Sequence, residues 1–240
     1  MAQSSSASNQ DNLGQVFFEA FQLYTSGIIN NSPSNNDEAA KATAVEIIVP
    51  QLNSDHNRLI YIVDTIQARV KRDVVWIDSA ISIYDGIASS IDPLFSAPGL
   101  PADRRGCALV QHYLMTSVYA DFTKTMTERF WNVGLIHFLG RLGASRESIG
   151  ALTTNIALYI MGRMMLSERL FDGQNLGLCL DYIVHVGPFL DSEAPGSVNE
   201  FGGMLLQLRE RVKMGGTVAN MAVCWLFKMR GDGWRAQLVE

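Results

Sequence analysis

Apolar residues three and four apart recur along most of the chain, and this spacing dictates helices. Leu59, Ile62, Val63, Ile66 and Val70 share one helical face, as do Ile77, Ile81 and Tyr84, and then Cys107, Val110, Leu114 and Val118. Ile149, Leu152, Ile156, Tyr159 and Ile160 make a fourth stripe, and Leu176, Leu180, Ile183 and Val184 a fifth. Met204, Leu205, Leu208 and Val212 follow, then Val218, Met221, Ala222, Trp225 and Met229. Strict alternation, the mark of a half-buried strand, is almost absent, so the spacing predicts an all-α fold. The segment "IDPLFSAPGLPADRRG" breaks the pattern with three prolines, and "VGPFLDSEAPGS" breaks it again after the fifth stripe. Roughly ten helices in successive antiparallel pairs, about 40 residues to a pair, predict a HEAT-like helical solenoid of about five pairs.

The first 38 residues read differently. "MAQSSSASNQDN" is rich in Ser, Asn and Gln and is expected to be unstructured. "VFFEAFQLY", Val16 to Tyr24, predicts a short docked helix near 16–29, and "NNSPSNNDE" a linker. The expected organisation is an N-terminal extension over 1–38 and a helical domain over 39–240. The short helix is read as a cap on the end of the stack. Tyr24 followed by Ile29 is also a faint form of the Tyr-x-x-x-x-Leu anchor that cap-binding proteins take.

Charge and cysteine usage narrow the function. A formal charge of −5 in 240 residues speaks against a general polyanion binder. Arg69, Lys71 and Arg72 are the one basic cluster through which direct RNA binding is weighed. No secretory signal opens the sequence, and no uninterrupted apolar run reaches the ~18 residues of a membrane span. Cys107, Cys179 and Cys224 are odd in number and far apart, which suits a reducing, cytoplasmic setting rather than a disulfide framework.

Chemistry is hard to find. The four histidines (His56, His112, His137 and His185) sit in no metal-ligand spacing, and no nucleophile elbow or phosphate loop is present. Asp181 and His185, one helical turn apart, read as a structural pair. "KMGGT" and "RLGAS" read as glycine breaks at helix ends. No enzyme activity, cofactor or metal is expected, which leaves a protein-binding module.

Four blocks carry a resemblance to one helical-repeat family. "GLIHFLGRL", with Gly134, Phe138, Gly140 and Leu142, resembles a signature of the middle domain of eukaryotic translation initiation factor 4G, roughly G-x-x-x-F-I-G-x-L. "LCLDYIVHVGPFLD", which holds Gly187, resembles a Leu- and Cys-rich helix of that family ending in glycine and Leu-Asp. The family's closing L-R-G-x-x-W is matched by Met229, Arg230, Gly231 and Trp234. The lead-in is matched by Ile48, Val49, Leu52, Asn53 and Asp55, with Asn57 where the family has an aromatic residue. The resemblance spans about Thr43 to Ala236. It implies a non-enzymatic scaffold in translation initiation that binds a DEAD-box RNA helicase of the initiation factor 4A type. Val49, Leu52, His56 and Asn57 are the candidate partner contacts, although Val49 and Leu52 equally suit a role in sealing the first helix pair. The alternative is a single-domain adaptor of the same superfamily that bridges a messenger-RNA-binding protein to other initiation factors and self-associates.

The last block also contains Arg-Gly-Asp, the tripeptide of integrin ligands. A helix end accounts for it better. Gly231 is expected at the left-handed position after the helix, with Arg230 serving the last carbonyls and Trp234 folded back on the preceding helix.

Overall fold

The computed structural model describes residues 5–33, 38–52, 55–145, 147–213 and 216–234. Among them the ordered backbone is helical, with no strand. The α-helices are α1 (Ser5–Asn31), α2 (Glu38–Gln51), α3 (His56–Val70), α4 (Ile77–Ser90), α5 (Cys107–Thr125), α6 (Val133–Ala144), α7 (Thr154–Met165), α8 (Asn175–Glu193), α9 (Val198–Lys213) and α10 (Thr217–Gly231). Short 3-10 turns at Val74–Trp76 and Pro195–Ser197 lead into α4 and α9. The chain divides into two compact units, Met1–Ser117 and Val118–Glu240.

In the first unit α1 packs on α3 and α2, and α2 on α4. The α2–α4 contact is close because Gly86 has no side chain: a Cβ there would stand 2.6 Å from Val45 Cγ2. The first helix differs from its expectation. It starts at Ser5 rather than near Val16, because extending a docked helix costs far less than nucleating one. It is also built into the unit through buried Phe21, Thr25 and Ile29. Arg69 holds its end, donating to the Ile29 carbonyl and, at 2.9 Å, to Ser32 Oγ, while lying 4.2 Å over the Trp76 ring. Trp76 Nε1 donates to the same Ser32 hydroxyl at 3.1 Å. Arg69 is therefore a buried clamp on a helix C-terminus, where a cation is favourable. Burial lowers its pKa, and Asp73 opposes that shift. The basic cluster loses its first member to the core.

In the second unit α6 lies against α8, α7 against α8 and α9, and α10 against α8 and α9. Side-chain caps start two of these helices: Asn132 accepts from Leu135 N at 2.9 Å, and Thr153 from Ile156 N at 3.4 Å. The break expected at "VGPFLDSEAPGS" comes later than its first proline. Helix α8 runs through Pro188 and ends at Glu193. Pro188 faces solvent while Val186, Phe189 and Leu190 are buried around it, so packing holds the helix across the missing N–H. Asn175, fully buried at the head of α8, donates to the Arg129 and Arg169 carbonyls at 2.9 and 2.8 Å. It also accepts from Trp131 N at 3.0 Å.

Candidate partner-binding surface

The lead-in forms the corner between α2 and α3. Asp55 caps α3 by accepting from Asn57 N at 2.9 Å. Arg58 reaches back to the Gln51 carbonyl at 2.6 Å and lies 4.8 Å over the Phe21 ring, which ties α3 to the end of α2 and to the body of α1. On this corner Asn57 is exposed and Val49 and His56 are half-buried. Leu52 is 2% exposed. Its place is the core, and the sealing role is the one its burial supports. Asn53 lies outside the described residues. The Tyr24 and Ile29 anchor separates in the same way. Tyr24 is exposed, but Ile29 is wholly buried under the Arg69 clamp, so no partner meets the two together.

The other three blocks meet in the second unit. Gly134, Phe138, Gly140 and Leu142 are all buried on α6. The helices approach most closely at Gly140 and Gly143. A Cβ on Gly140 would stand 2.9 Å from His185 Cδ2, and one on Gly143 2.6 Å from Val186 Cγ1. Gly187 of α8 serves the closing block, since a Cβ there would overlap the Trp234 ring.

The closing block is a lock centred on Asp191, a residue that spacing alone did not single out. Arg230 Nη2 donates to Asp191 Oδ1 at 3.1 Å, and Trp234 Nε1 donates to Asp191 Oδ2 at 2.7 Å. The Trp234 ring also meets Phe201 at 5.8 Å between centroids, and the Arg230 guanidinium lies 4.9 Å over that same ring. Trp234 thus packs on α8 and α9, where the preceding helix was expected. The chain turns two residues later than expected as well. Gly231 is still helical, and Gly233 takes the left-handed position at φ 68°. Trp234 N donates to the Met229 carbonyl at 2.7 Å and Gly233 N to the Arg230 carbonyl at 3.0 Å. This pair of bonds is a Schellman motif. With Arg230 engaged by Asp191 and the following Gly-Asp closing a helix, the tripeptide is not displayed as an adhesion loop.

Reactive side chains are sparse. Among the described residues no three His, Cys, Asp or Glu come together as metal ligands, and no helix is long and apolar enough to cross a membrane. Burial pushes the Cys179 thiol up to about 12, whereas Cys107 and Cys224 are exposed. At pH 8 the folded protein is expected to release two equivalents of thionitrobenzoate from Ellman's reagent, with the third released only in denaturant. Three rapid equivalents without denaturant would mean that Cys179 is accessible.

Sequence spacing also missed the exposed apolar side chains. Val218, Met221 and Trp225 of α10 are 81%, 66% and 54% exposed, and Val16, Phe17, Leu23 and Tyr24 project from α1. No protein-family model matches the sequence, and no curated protein matches it either.

Proposed function

We propose that this protein is a non-enzymatic, cytoplasmic scaffold in translation initiation. It docks a DEAD-box RNA helicase of the initiation factor 4A type and favours one of the helicase's conformations. A scaffold of this kind acts by differential binding, because a partner that held both conformations equally would shift nothing. The observation that carries the reading is the arrangement of the resembling blocks. Three of them, far apart in sequence, fold against one another through Gly140, Gly143, Gly187 and the Asp191–Trp234 lock. Within each unit helices also pack on the next but one, α1 on α3 and α2 on α4, and α6 on α8. That packing supports a HEAT-like stack, a form whose surfaces serve macromolecular partners.

The exposed Asn57 and half-buried Val49 and His56 are the contacts this reading assigns to the helicase. In calorimetric titration, binding at micromolar Kd or tighter is expected, weakened about tenfold by Asn57→Arg, which alters only surface. No heat with the folded wild-type protein would retire helicase docking. The adaptor reading would then stand in its place, and the apolar face of α10 is the observation that favours self-association.

A further inference from the structure

The second unit holds an open cleft of ≈ 590 Å³ lined by α7, the turn after it, the residues following α5, and Met204 of α9. Its floor is apolar and pliable. Met126, Leu158, Gly162 and Met204 form it, and a Cβ on Gly162 would stand 3.3 Å from Met204 Cε, so the missing side chain leaves depth at that point. Methionines adapt to apolar groups of varied shape. The rim is polar, with Tyr159, Arg163, Glu168 and Arg169 along it. Tyr159 is 44% exposed, and its hydroxyl stands 3.5 Å from that of Tyr119, itself 55% exposed. The hydrogen bond to Tyr119 raises the Tyr159 pKa.

Two arginines, Arg163 and Arg169, line the cleft against one carboxylate, Glu168. Arg169 has an exposed ion pair with Asp172 at 3.5 Å, but Arg163 has no carboxylate within ion-pair distance among the described residues. Arg163 is thus the cation that the rim holds without an ion-pair carboxylate among the described residues, above an apolar floor.

We propose that this cleft docks a short acidic segment of a partner protein, with a bulky apolar side chain in the methionine-lined floor and a neighbouring Asp or Glu on Arg163. The Tyr119 and Tyr159 hydroxyls supply hydrogen bonds beside that carboxylate. Arg163, without an ion-pair carboxylate among the described residues, suits one carboxylate. A nucleic-acid strand asks for a longer run of cations, because its affinity rests on neutralising several phosphates at once. The depth and apolar floor likewise suit a side chain rather than a backbone of charged groups. The site lies apart in sequence from the α2–α3 corner, so it stands or falls separately from helicase docking.

Selection from a random 12-residue peptide display library against the whole chain tests the proposal. The expected result is enrichment of sequences with a large apolar residue flanked by Asp or Glu. A fluorescein-labelled peptide of that consensus should bind Arg163→Glu at least about tenfold more weakly than wild type, since a charge-assisted bond is replaced by repulsion. Arg163 is exposed, so the variant should keep its helical spectrum. Three outcomes each overturn the proposal: a consensus without acidic residues or no consensus, binding to Arg163→Glu within twofold of wild type, or displacement of the peptide by a 12-nucleotide oligouridylate.

Discussion

Leu52→Asp is expected to unfold the first unit rather than remove a partner contact. The side chain is 2% exposed, in the turn that follows α2. The Leu52 amide donates to the Val49 carbonyl at 3.1 Å, and its carbonyl accepts from Asp55 N at 2.8 Å, so the backbone is held at that point. Substitution removes a buried aliphatic group and places a carboxylate in its stead. Loss of the apolar contacts alone costs about 3–5 kcal/mol, and desolvating the new acid adds to it. A total above about 4 kcal/mol is a large part of the stability of a domain this size. Thermal melts followed by circular dichroism at 222 nm should show the loss directly. A variant that melts with wild-type midpoint and amplitude would put Leu52 on the surface and restore it as a candidate contact. Asn57→Arg at the same corner should leave the melt unchanged, which is why the binding experiment uses it.

The helices were legible from spacing, but the faces they bury were only partly so. Leu59, Ile62, Val63, Ile66 and Val70 are buried as their spacing predicts, because α3 carries the exposed Asn57 and Asp64, seven residues apart, to mark its other side. On α7 and α10 no such contrast exists. Ile156 and Tyr159 were assigned to the core and are exposed, while Ala157, Met161 and Met164 are buried. Val218, Met221 and Trp225 were assigned likewise, but of that stripe only Met229 is buried, and Val223 and Leu226 are the other residues α10 turns inward. A helix apolar on two sides has no single stripe for periodicity to find, and tertiary packing chooses between them. The cleft rim at Tyr159 was hidden for this reason.

The candidate surface shows the same division between local and long-range information. Asp55 as a helix cap and Asn57 as an exposed residue follow from neighbours a few positions away. Arg69 looked like part of a basic patch because its charge is visible in sequence, whereas the Ile29 carbonyl that buries it is 40 residues away. Asp191 closed the quoted Leu-Asp block but was given no role, for a like reason: its partners Arg230 and Trp234 lie 39 and 43 residues further on. The resemblance placed Arg230 and Trp234 in one motif, but a motif names residues without their partners.

Trp234→Ala is expected to cost about 3 kcal/mol, and the pattern of companion variants tests the reason. The indole fills the space over Gly187, meets Phe201, and donates to Asp191. Alanine leaves a cavity at the first, removes the second, and leaves Asp191 Oδ2 without its Trp234 donor. The melting midpoint of the second unit should fall by roughly 10 °C, given about 4 °C per kcal/mol for a body of this size. Asp191→Asn keeps the volume but weakens the bonds to Arg230 and Trp234, so it should lower stability by less than the tryptophan deletion. The two glycines separate the observed helix end from the one expected in sequence. At Gly233, φ 68° makes alanine unfavourable by about 1–2 kcal/mol. At Gly231 the backbone is helical and no heavy atom stands within 4 Å of an added Cβ, so alanine should be neutral or stabilising there. If Gly231→Ala is the damaging variant and Gly233→Ala the silent one, the turn closes two residues earlier, and Trp234 cannot then reach Asp191 by the path described.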